Sequence, residues 1–292
     1  INLVLRSHGD GNDSYWGSGG TVASSSIDIA PQFFLGYRKD KLMMRGIMLA
    51  EWSNLTNDTQ TLTYNDDKFI GQSFTKNESR ARTALARLYT RYDISAKDML
   101  QFNISEIYSY SRTFKETDFS ERNSVWQSQK SMNLQALAKY QHKSRSSTFT
   151  VQAEYKYSPI TNRYNVPETY SYDNDLKSNN ISGKLEYKTK LLDGTTSHGA
   201  AKNAEIVVGS NFNSNLGNET TIVDDVNVAD INTRHIPRND TYYIMPYMTF
   251  SGTFGKFRIK ATGEFQHFKY NIERYGVPYS AISNDFNGKL MA

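Results

Sequence analysis

Hydrophobic and polar residues alternate with a period of two along most of this chain. In 148–157 every second residue, from Phe149 to Tyr157, is apolar or aromatic, and the residues between them are polar or charged. The same alternation recurs in 181–191 and in 256–266. Because side chains of a β-strand point alternately to its two faces, this pattern predicts strands with one apolar face and one polar face.

Further segments with this alternation predict an all-β protein. They are 27–37, 42–53, 82–93, 100–112, 132–142, 204–213 and 241–251, and residues 287–292 begin another. Their lengths are near the roughly nine to eleven residues that a tilted strand needs to cross a membrane. Pro246 lies in the least regular segment, where it predicts a bulge or local unpairing because proline has no N–H to donate.

Short connections alternate with long ones. The short turns are predicted near 38–41, 93–98, 143–146 and 252–255, with an elongated turn at 192–203. The long polar segments are 54–80, 113–130, 158–179, 214–240 and 271–285. In outer-membrane barrels the periplasmic turns are short and the extracellular loops are long. We therefore predict an antiparallel up-and-down transmembrane β-barrel, with about eleven to twelve strands of a larger barrel present and the long segments outside the cell.

The placement of aromatic residues also favours a membrane barrel. Tyr92 and Tyr140 lie near predicted strand ends, whereas Ala136 and Ala153 lie nearer the middle of apolar faces. Aromatic girdles at both membrane interfaces have this arrangement. We therefore expect apolar faces, such as the one that carries Val151, to contact lipid and the polar faces to line the lumen.

A soluble β-sandwich is the alternative fold, because sandwich strands alternate in the same way. Its difficulty is that many strands of similar length in up-and-down order leave long edges, which a closed barrel avoids. Glu106 interrupts the apolar face between Ile104 and Tyr108. A charge there is tolerable near a membrane interface, where its cost is small.

Composition excludes several classes of protein. No apolar run approaches the roughly 18 residues of a membrane-spanning helix. The chain has no Cys, which excludes disulfides, thiolate metal sites and Cys nucleophiles. Its 34 basic and 30 acidic residues give a net charge of +4, too mild and scattered to indicate a nucleic-acid partner. The five His residues are spread out without metal-ligand spacing. We therefore predict no catalytic group, no metal site and no cofactor.

Two long segments contain candidate ligand-binding residues. Tyr164, Tyr170 and Tyr172 could stack on sugars, aromatic groups or a partner surface, although a loop packed on itself is the alternative. Asp224 and Asp225 could attract a cation through their oxygens. They lack the spacing of a calcium loop, which favours a solvated acidic loop.

Four stretches resemble the TonB-dependent receptors and related outer-membrane barrels. They are 1–6 (INLVLR), 35–46 (LGYRKDKLMMRG), 81–111 and 242–264 (YYIMPYMTFSGTFGKFRIKATGE). The first resembles the strand that closes the plug domain, the second the first short barrel turn, and the last a later hairpin. The resemblance implies the end of a plug-like segment at 1–14 and a partial barrel at 15–292. It also implies that the chain is about half of a 22-stranded barrel and lacks the complete plug and TonB box.

This resemblance implies a receptor in the cell outer membrane that imports a nutrient such as a glycan or a metal chelate. The implied partners are outer-membrane lipid, the extracellular nutrient, an inner-membrane energising complex reached through the plug, and a surface lipoprotein, but no nucleic acid. A barrel that displays loops for adhesion or assembly without transport is the alternative. A plug and TonB box upstream of Ile1 would favour transport. An enzyme barrel would need a nucleophile and a base at the rim, and no convincing pair is present.

Overall fold

The protein is described by a computed structural model in which the interpretable residues form one large antiparallel sheet. The described residues are 13–19, 22–23, 28–65, 68–117, 120–167, 169–191, 201–225, 232–254, 256–274 and 276–291. Within these ranges no helix is long and apolar enough to span a membrane.

Fourteen strands make up this sheet. In chain order they are β1 (Asp13–Gly19), β2 (Val22–Ala23), β3 (Asp28–Ile29), β4 (Gln32–Lys39), β5 (Leu42–Asn65), β6 (Lys68–Asp93), β7 (Asp98–Thr117), β8 (Ser120–Lys143), β9 (Ser147–Val166), β10 (Tyr170–Lys190), β11 (Ala201–Asp225), β12 (Asn232–Phe254), β13 (Phe257–Arg274) and β14 (Val277–Met291). From β4 to β14 each strand pairs with the next along the chain, β1 pairs with β4, and β2 and β3 form a short side branch. The predicted up-and-down all-β architecture is confirmed, and among the described residues the sheet does not close on itself.

The strands are much longer than the alternation predicts. β5 has 24 residues and β6 has 26, and they stay paired up to Asn65 and Lys68. The prediction of a long loop at 54–80 is therefore wrong, and the other four long segments are likewise mostly strand. Main-chain hydrogen bonds between neighbouring strands do not depend on side-chain polarity, so the hairpins continue beyond their apolar part. We call the strand segments within these five polar ranges the arms.

Tight turns at the opposite end of the sheet confirm the predicted short connections. In the turn between β6 and β7, the Ser95 hydroxyl donates to Asp98 Oδ2 at 2.6 Å and accepts from the Lys97 amide at 3.0 Å. Between β8 and β9, Ser144 Oγ accepts from the Ser147 amide at 3.1 Å. Serine hydroxyls that bond to nearby backbone groups stabilise compact turns. We call these connections the lower turns.

The two faces of the sheet have opposite chemistry. Along β9, Val151 is 38% exposed, whereas Thr150 on the other face is only 8% exposed. Leu185 lies beside Val151 on β10 and is 50% exposed. We call the face that carries Val151 the outer face and the face that carries Thr150 the inner face.

Buried apolar side chains are few in the described part of the chain. They are Ala204, Ile236 and Ile272. Exposed large apolar residues are far more numerous, and Met48 on the outer face is 60% exposed. A sandwich would bury one such face against a second sheet. The described strands belong to a single sheet, so the sandwich alternative fails and the outer face requires an apolar environment.

Pro246 disturbs the ladder locally, as expected. Pairing of β12 with β13 is interrupted between Ile244 and Tyr247 and then continues in the same register. Pro159 has the same effect in the pairing of β8 with β9. Proline removes one ladder donor without adding a residue, so each site is a local unpairing and not a bulge.

The start of the chain is described only in part. Most of the predicted plug-like segment at 1–14 lies outside the described residues, and Ser14 pairs with Tyr37 as part of β1. The predicted strand 27–37 is divided, since β3 ends at Ile29 and β4 begins at Gln32. Most of the predicted turn at 192–203 lies outside the described residues, and the chain is again in a strand from Ala201.

Two residues of β8 mark the limits of the apolar outer face. Tyr140 lies near its lower end, and Lys130, ten residues earlier, lies where the outer face becomes charged. Ten residues at about 3.3 Å, tilted by about 40°, span roughly 25 Å, the height of the apolar band of an outer-membrane barrel. We call the outer face between these two levels the band.

Candidate ligand-contact surface

The three candidate tyrosines lie together on one hairpin arm. Tyr164 is on β9 and is the register partner of Tyr172 on β10, and Tyr170 lies two residues before Tyr172. All three occupy inner-face positions. The Tyr164 and Tyr170 rings meet edge to face, with centroids 5.9 Å apart.

These tyrosines belong to strands, although the sequence predicted a loop. The connection between β9 and β10 is confined to 167–169, where the Thr169 amide donates to the Val166 carbonyl at 3.1 Å. A paired strand fixes the spacing of its side chains better than a long loop does. We call Tyr164, Tyr170 and Tyr172 the tyrosine cluster.

A buried asparagine lies next to the tyrosine cluster on the inner face. Asn174 is 7% exposed and donates from Nδ2 to Glu219 Oε1 and Thr221 Oγ1, both at 2.9 Å. Its Oδ1 accepts from Asn162 Nδ2 at 3.5 Å. These contacts join β9, β10 and β11 below the tyrosines and hold the arm in one conformation.

The amide contacts continue down the inner face. Asn180 and Asn213 donate to each other at 3.0 and 3.3 Å, and Ser178 Oγ donates to Asn215 at 2.7 Å. These residues are not among those predicted from the sequence. Their signal was present, since Asn211, Asn213 and Asn215 alternate with the period of a strand.

Charged side chains follow within the band on the same inner face. Glu154 accepts hydrogen bonds from Gln135 and, at 3.5 Å, from Ser182. Glu186 accepts from Lys184 Nζ at 2.6 Å and from the Tyr247 hydroxyl at 2.5 Å. The inner face is thus lined by polar groups bonded across strands, which is the chemistry of a wall that faces water.

The acidic pair lies at the end of β11, beside the hairpin that carries the tyrosine cluster. Asp224 and Asp225 are consecutive residues of β11, opposite Ser171 and Tyr170 respectively. The side chain of Asp225 lies outside the described residues. Among the residues that the structure describes, no three His, Asp or Glu side chains form a group able to hold a metal.

One of the five histidines has a charged partner at the lower turns. His142 Nδ1 lies 2.7 Å from Asp98 Oδ1, which also accepts from the Tyr140 hydroxyl at 2.7 Å. The Ser95 hydroxyl, followed by His142 and Tyr140, holds the pKa of Asp98 well below its ordinary value of 3.8. The group joins β7 to β8 at the end of the sheet away from the tyrosine cluster, so its role is structural.

Comparison with known proteins gives a likeness of fold. No family model and no curated protein matches the sequence. The structure is similar to the crystal structure of the ferric citrate transporter FecA in its unliganded form, with a TM-score of 0.62 and 11% sequence identity. The match covers 95% of this chain and 41% of that chain, so this chain spans about two fifths of that transporter's length. The chain therefore shares its fold with part of that transporter.

Proposed function

We propose that this chain is part of the barrel of an outer-membrane receptor that imports a nutrient by TonB-dependent transport. The observation that carries the proposal is the reversed polarity of the sheet, in which the exposed outer face is apolar and the inner face is polar. This arrangement suits a wall between lipid and an aqueous lumen. The fold likeness to a ferric citrate transporter and the sequence resemblance to TonB-dependent receptors both support it.

In this proposal the tyrosine cluster contacts the ligand before it enters the lumen. The cluster lies on the inner face of an arm, above a continuous series of amide and charged groups. Tyrosine rings offer flat apolar surface together with a hydroxyl, which suits a glycan or an aromatic metal chelate. Asp224 and Asp225 would act separately, each attracting a cationic part of the ligand.

The proposed partners follow from this function. Outer-membrane lipid covers the outer face, and the nutrient enters from the side of the arms. Energy for transport comes from an inner-membrane complex that acts through a plug, and a surface lipoprotein assists capture of the ligand. These partners would be sought by affinity purification of the full-length protein from its own membranes.

Nutrient uptake is the direct test. Cells with and without the full-length protein are compared for uptake of candidate glycans and metal chelates at sub-saturating concentration. We expect deletion to abolish uptake and the triple change of Tyr164, Tyr170 and Tyr172 to Ala to reduce it at least about tenfold, as for a lost stacking surface. Changing Asn165 and Ser171 to Ala alters the opposite face of the same hairpin and serves as the control.

The outcomes separate the parts of the proposal. Uptake that persists at low ligand concentration in the triple variant would reject the tyrosine cluster as the ligand contact. Uptake of every candidate without the protein would instead favour a barrel for adhesion or assembly. Orientation is tested with single cysteines in intact cells. We expect a surface label to reach Thr75→Cys in an arm and not Ser144→Cys in a lower turn, and the reverse result would invert the topology.

A further inference from the structure

Basic side chains gather on the outer face of the arms, directly above the band. Arg80 on β6 is the register partner of Arg112 on β7. In the next row towards the band, Arg82 lies opposite Tyr110, which in turn lies opposite Lys130 on β8. We call Arg80, Arg82, Arg112 and Lys130 the basic cluster.

Little negative charge offsets this cluster. Glu78 lies 3.9 Å from Arg80 but is bonded to Lys76 at 2.9 Å. In the part of the chain that the structure describes, Arg82, Arg112 and Lys130 form no ion pair. Like charges placed directly opposite on neighbouring strands destabilise a sheet, so the Arg80–Arg112 pair costs stability unless an anion lies between them.

Aromatic rings hold the cluster in place and border an open hollow. The Arg112 guanidinium lies 4.1 Å from the centroid of the Trp126 ring. The Trp126 ring packs against the Phe114 ring, with the two centroids 4.1 Å apart. The hollow beside them has a volume of about 360 Å³ and is lined by Tyr110, Arg112 and Trp126, among others. Arg163 and Asp173 also line it and lie 4.0 Å apart as an exposed ion pair, which among the described residues leaves Arg112 as its unpaired cation. A cation held over a ring keeps its N–H groups available at the ring edge for an anionic ligand.

An apolar hollow lies immediately below, within the band. It has a volume of about 410 Å³ and is lined mainly by apolar residues such as Phe33, Met48, Ala50 and Ala84. Tyr108 forms its upper border, one row below Tyr110. The small Ala side chains create the depression between larger neighbours. Glu106, a further row down, also lines this hollow, at the end away from the basic cluster.

We propose that the outer face of β4–β8 binds a phosphorylated membrane lipid, with the phosphate on the basic cluster and an acyl chain in the apolar hollow. The inference rests on the membrane placement in the proposed function. Arg side chains bind phosphate through paired N–H groups, and a bound phosphate would relieve the repulsion between Arg80 and Arg112. The apolar hollow adds the recognition of a chain that a free phosphate ion lacks.

Lipid binding to the full-length protein in uncharged detergent tests this directly. The probes are a lipid with a phosphomonoester headgroup, a lipid with the same acyl chains and an uncharged headgroup, and inorganic phosphate. Bound lipid is counted by native mass spectrometry. We expect retention of the phosphorylated lipid alone, and at least about tenfold weaker retention after the double change R80Q/R112Q, which removes two charge-assisted contacts. K177Q, a loss of basic charge on the outer face of β10, is the control.

The unfolding midpoint provides a second readout, because the effect of one substitution on it should reverse when lipid is added. Without lipid, R80Q should leave the unfolding midpoint unchanged or raise it, because it removes the like-charge contact with Arg112 and keeps the contact of Arg112 with the Trp126 ring. With the phosphorylated lipid present, the same variant should unfold at a lower temperature than the unaltered protein.

Equal retention by R80Q/R112Q and the unaltered protein, or equal binding of the uncharged lipid, would overturn the proposal. Stabilisation by inorganic phosphate as strong as by the lipid would show an anion site without lipid recognition and would also overturn it. Failure of uptake with lipid binding intact would reject only the transport function.

Discussion

The band and the arms use the same strands and the same backbone pairing, yet their side chains are organised differently. On β9 the band places Val151 and Ala153 on the outer face against Gln152 and Glu154 on the inner face. Higher on the same strand, the outer face carries Arg163 and polar residues. The inner face of this strand therefore stays mostly polar, with Ile160 and Val166 as exceptions, while its outer face changes from apolar to polar.

In the proposed membrane placement, this difference means that lipid contacts one face over a limited height only. Where lipid contacts the outer face, polar groups there cost free energy, and above that height water solvates them. The arms keep their strand structure because their backbone groups remain paired in the sheet. We expect side-chain hydrogen bonds on the inner face, and not lipid, to order them further.

The strongest test of the comparison places arginine at two heights on one face of β9. Ala153→Arg should reduce the free energy of unfolding in lipid by about 2–4 kcal/mol, because it puts a charge at the middle of the band. Asn165→Arg, on the outer face of the arm, should change it by less than about 0.5 kcal/mol. Folding into lipid vesicles, titrated with denaturant, gives both values.

A third arginine substitution, on the inner face, tests whether the cost depends on which face carries the charge. Ser182→Arg lies on the inner face beside Glu154, where its charge has a partner. It is a better control than a change at Gln152, whose register partners Lys139 and Lys184 would repel a new cation. If Ala153→Arg and Ser182→Arg were tolerated equally, lipid would not contact the outer face.

The next test asks what orders the arms. Asn174→Ala should reduce the free energy of unfolding of the arm by about 1–3 kcal/mol, because it leaves the acceptor oxygens of Glu219 and Thr221 without their buried donor. Hydrogen exchange of β10 and β11 amides measures the local effect. Asn162→Ala, which removes a single 3.5 Å contact, is the control and should have a smaller effect. Unchanged exchange in Asn174→Ala would mean that backbone pairing alone orders the arm.

The smallest effect is expected at the lower turns, at Asp98. Its pKa is lowered in the folded protein, so its carboxylate stabilises the fold above its ordinary pKa of 3.8. This contribution is lost as the pH falls through the lower folded value. Asp98→Asn should therefore reduce the unfolding midpoint at pH 7, and the difference from the unaltered protein should shrink in strong acid.

Asp93→Asn controls for the loss of a carboxylate at the other end of the same turn. Asp93 contacts the Arg91 guanidinium at 2.9 Å in an exposed pair, which contributes little to stability. If the difference in unfolding midpoint between Asp98→Asn and the unaltered protein stayed constant down to strong acid, the geometry of the turn would matter and the charge of Asp98 would not.

The sequence by itself determined the strand class, the polarity of each face and the position of the lower turns. Alternation with a period of two requires only that neighbouring side chains point to opposite faces, which is a local property of extended backbone. The serines of the lower turns act within a few residues, as Ser95 does with Asp98. The local unpairing at Pro246 is equally local in origin.

Only the tertiary structure decided how far the strands extend and which polar residues meet. The arms look like loops in the sequence because water solvates both of their faces, which removes the alternation that marks a half-buried strand. Asn174 meets Glu219, and Arg80 meets Arg112, across strands whose register depends on the whole sheet. Such contacts join residues distant in the chain, so local pattern cannot identify them, and the tyrosine cluster is one inner-face group only because the arm is a paired hairpin.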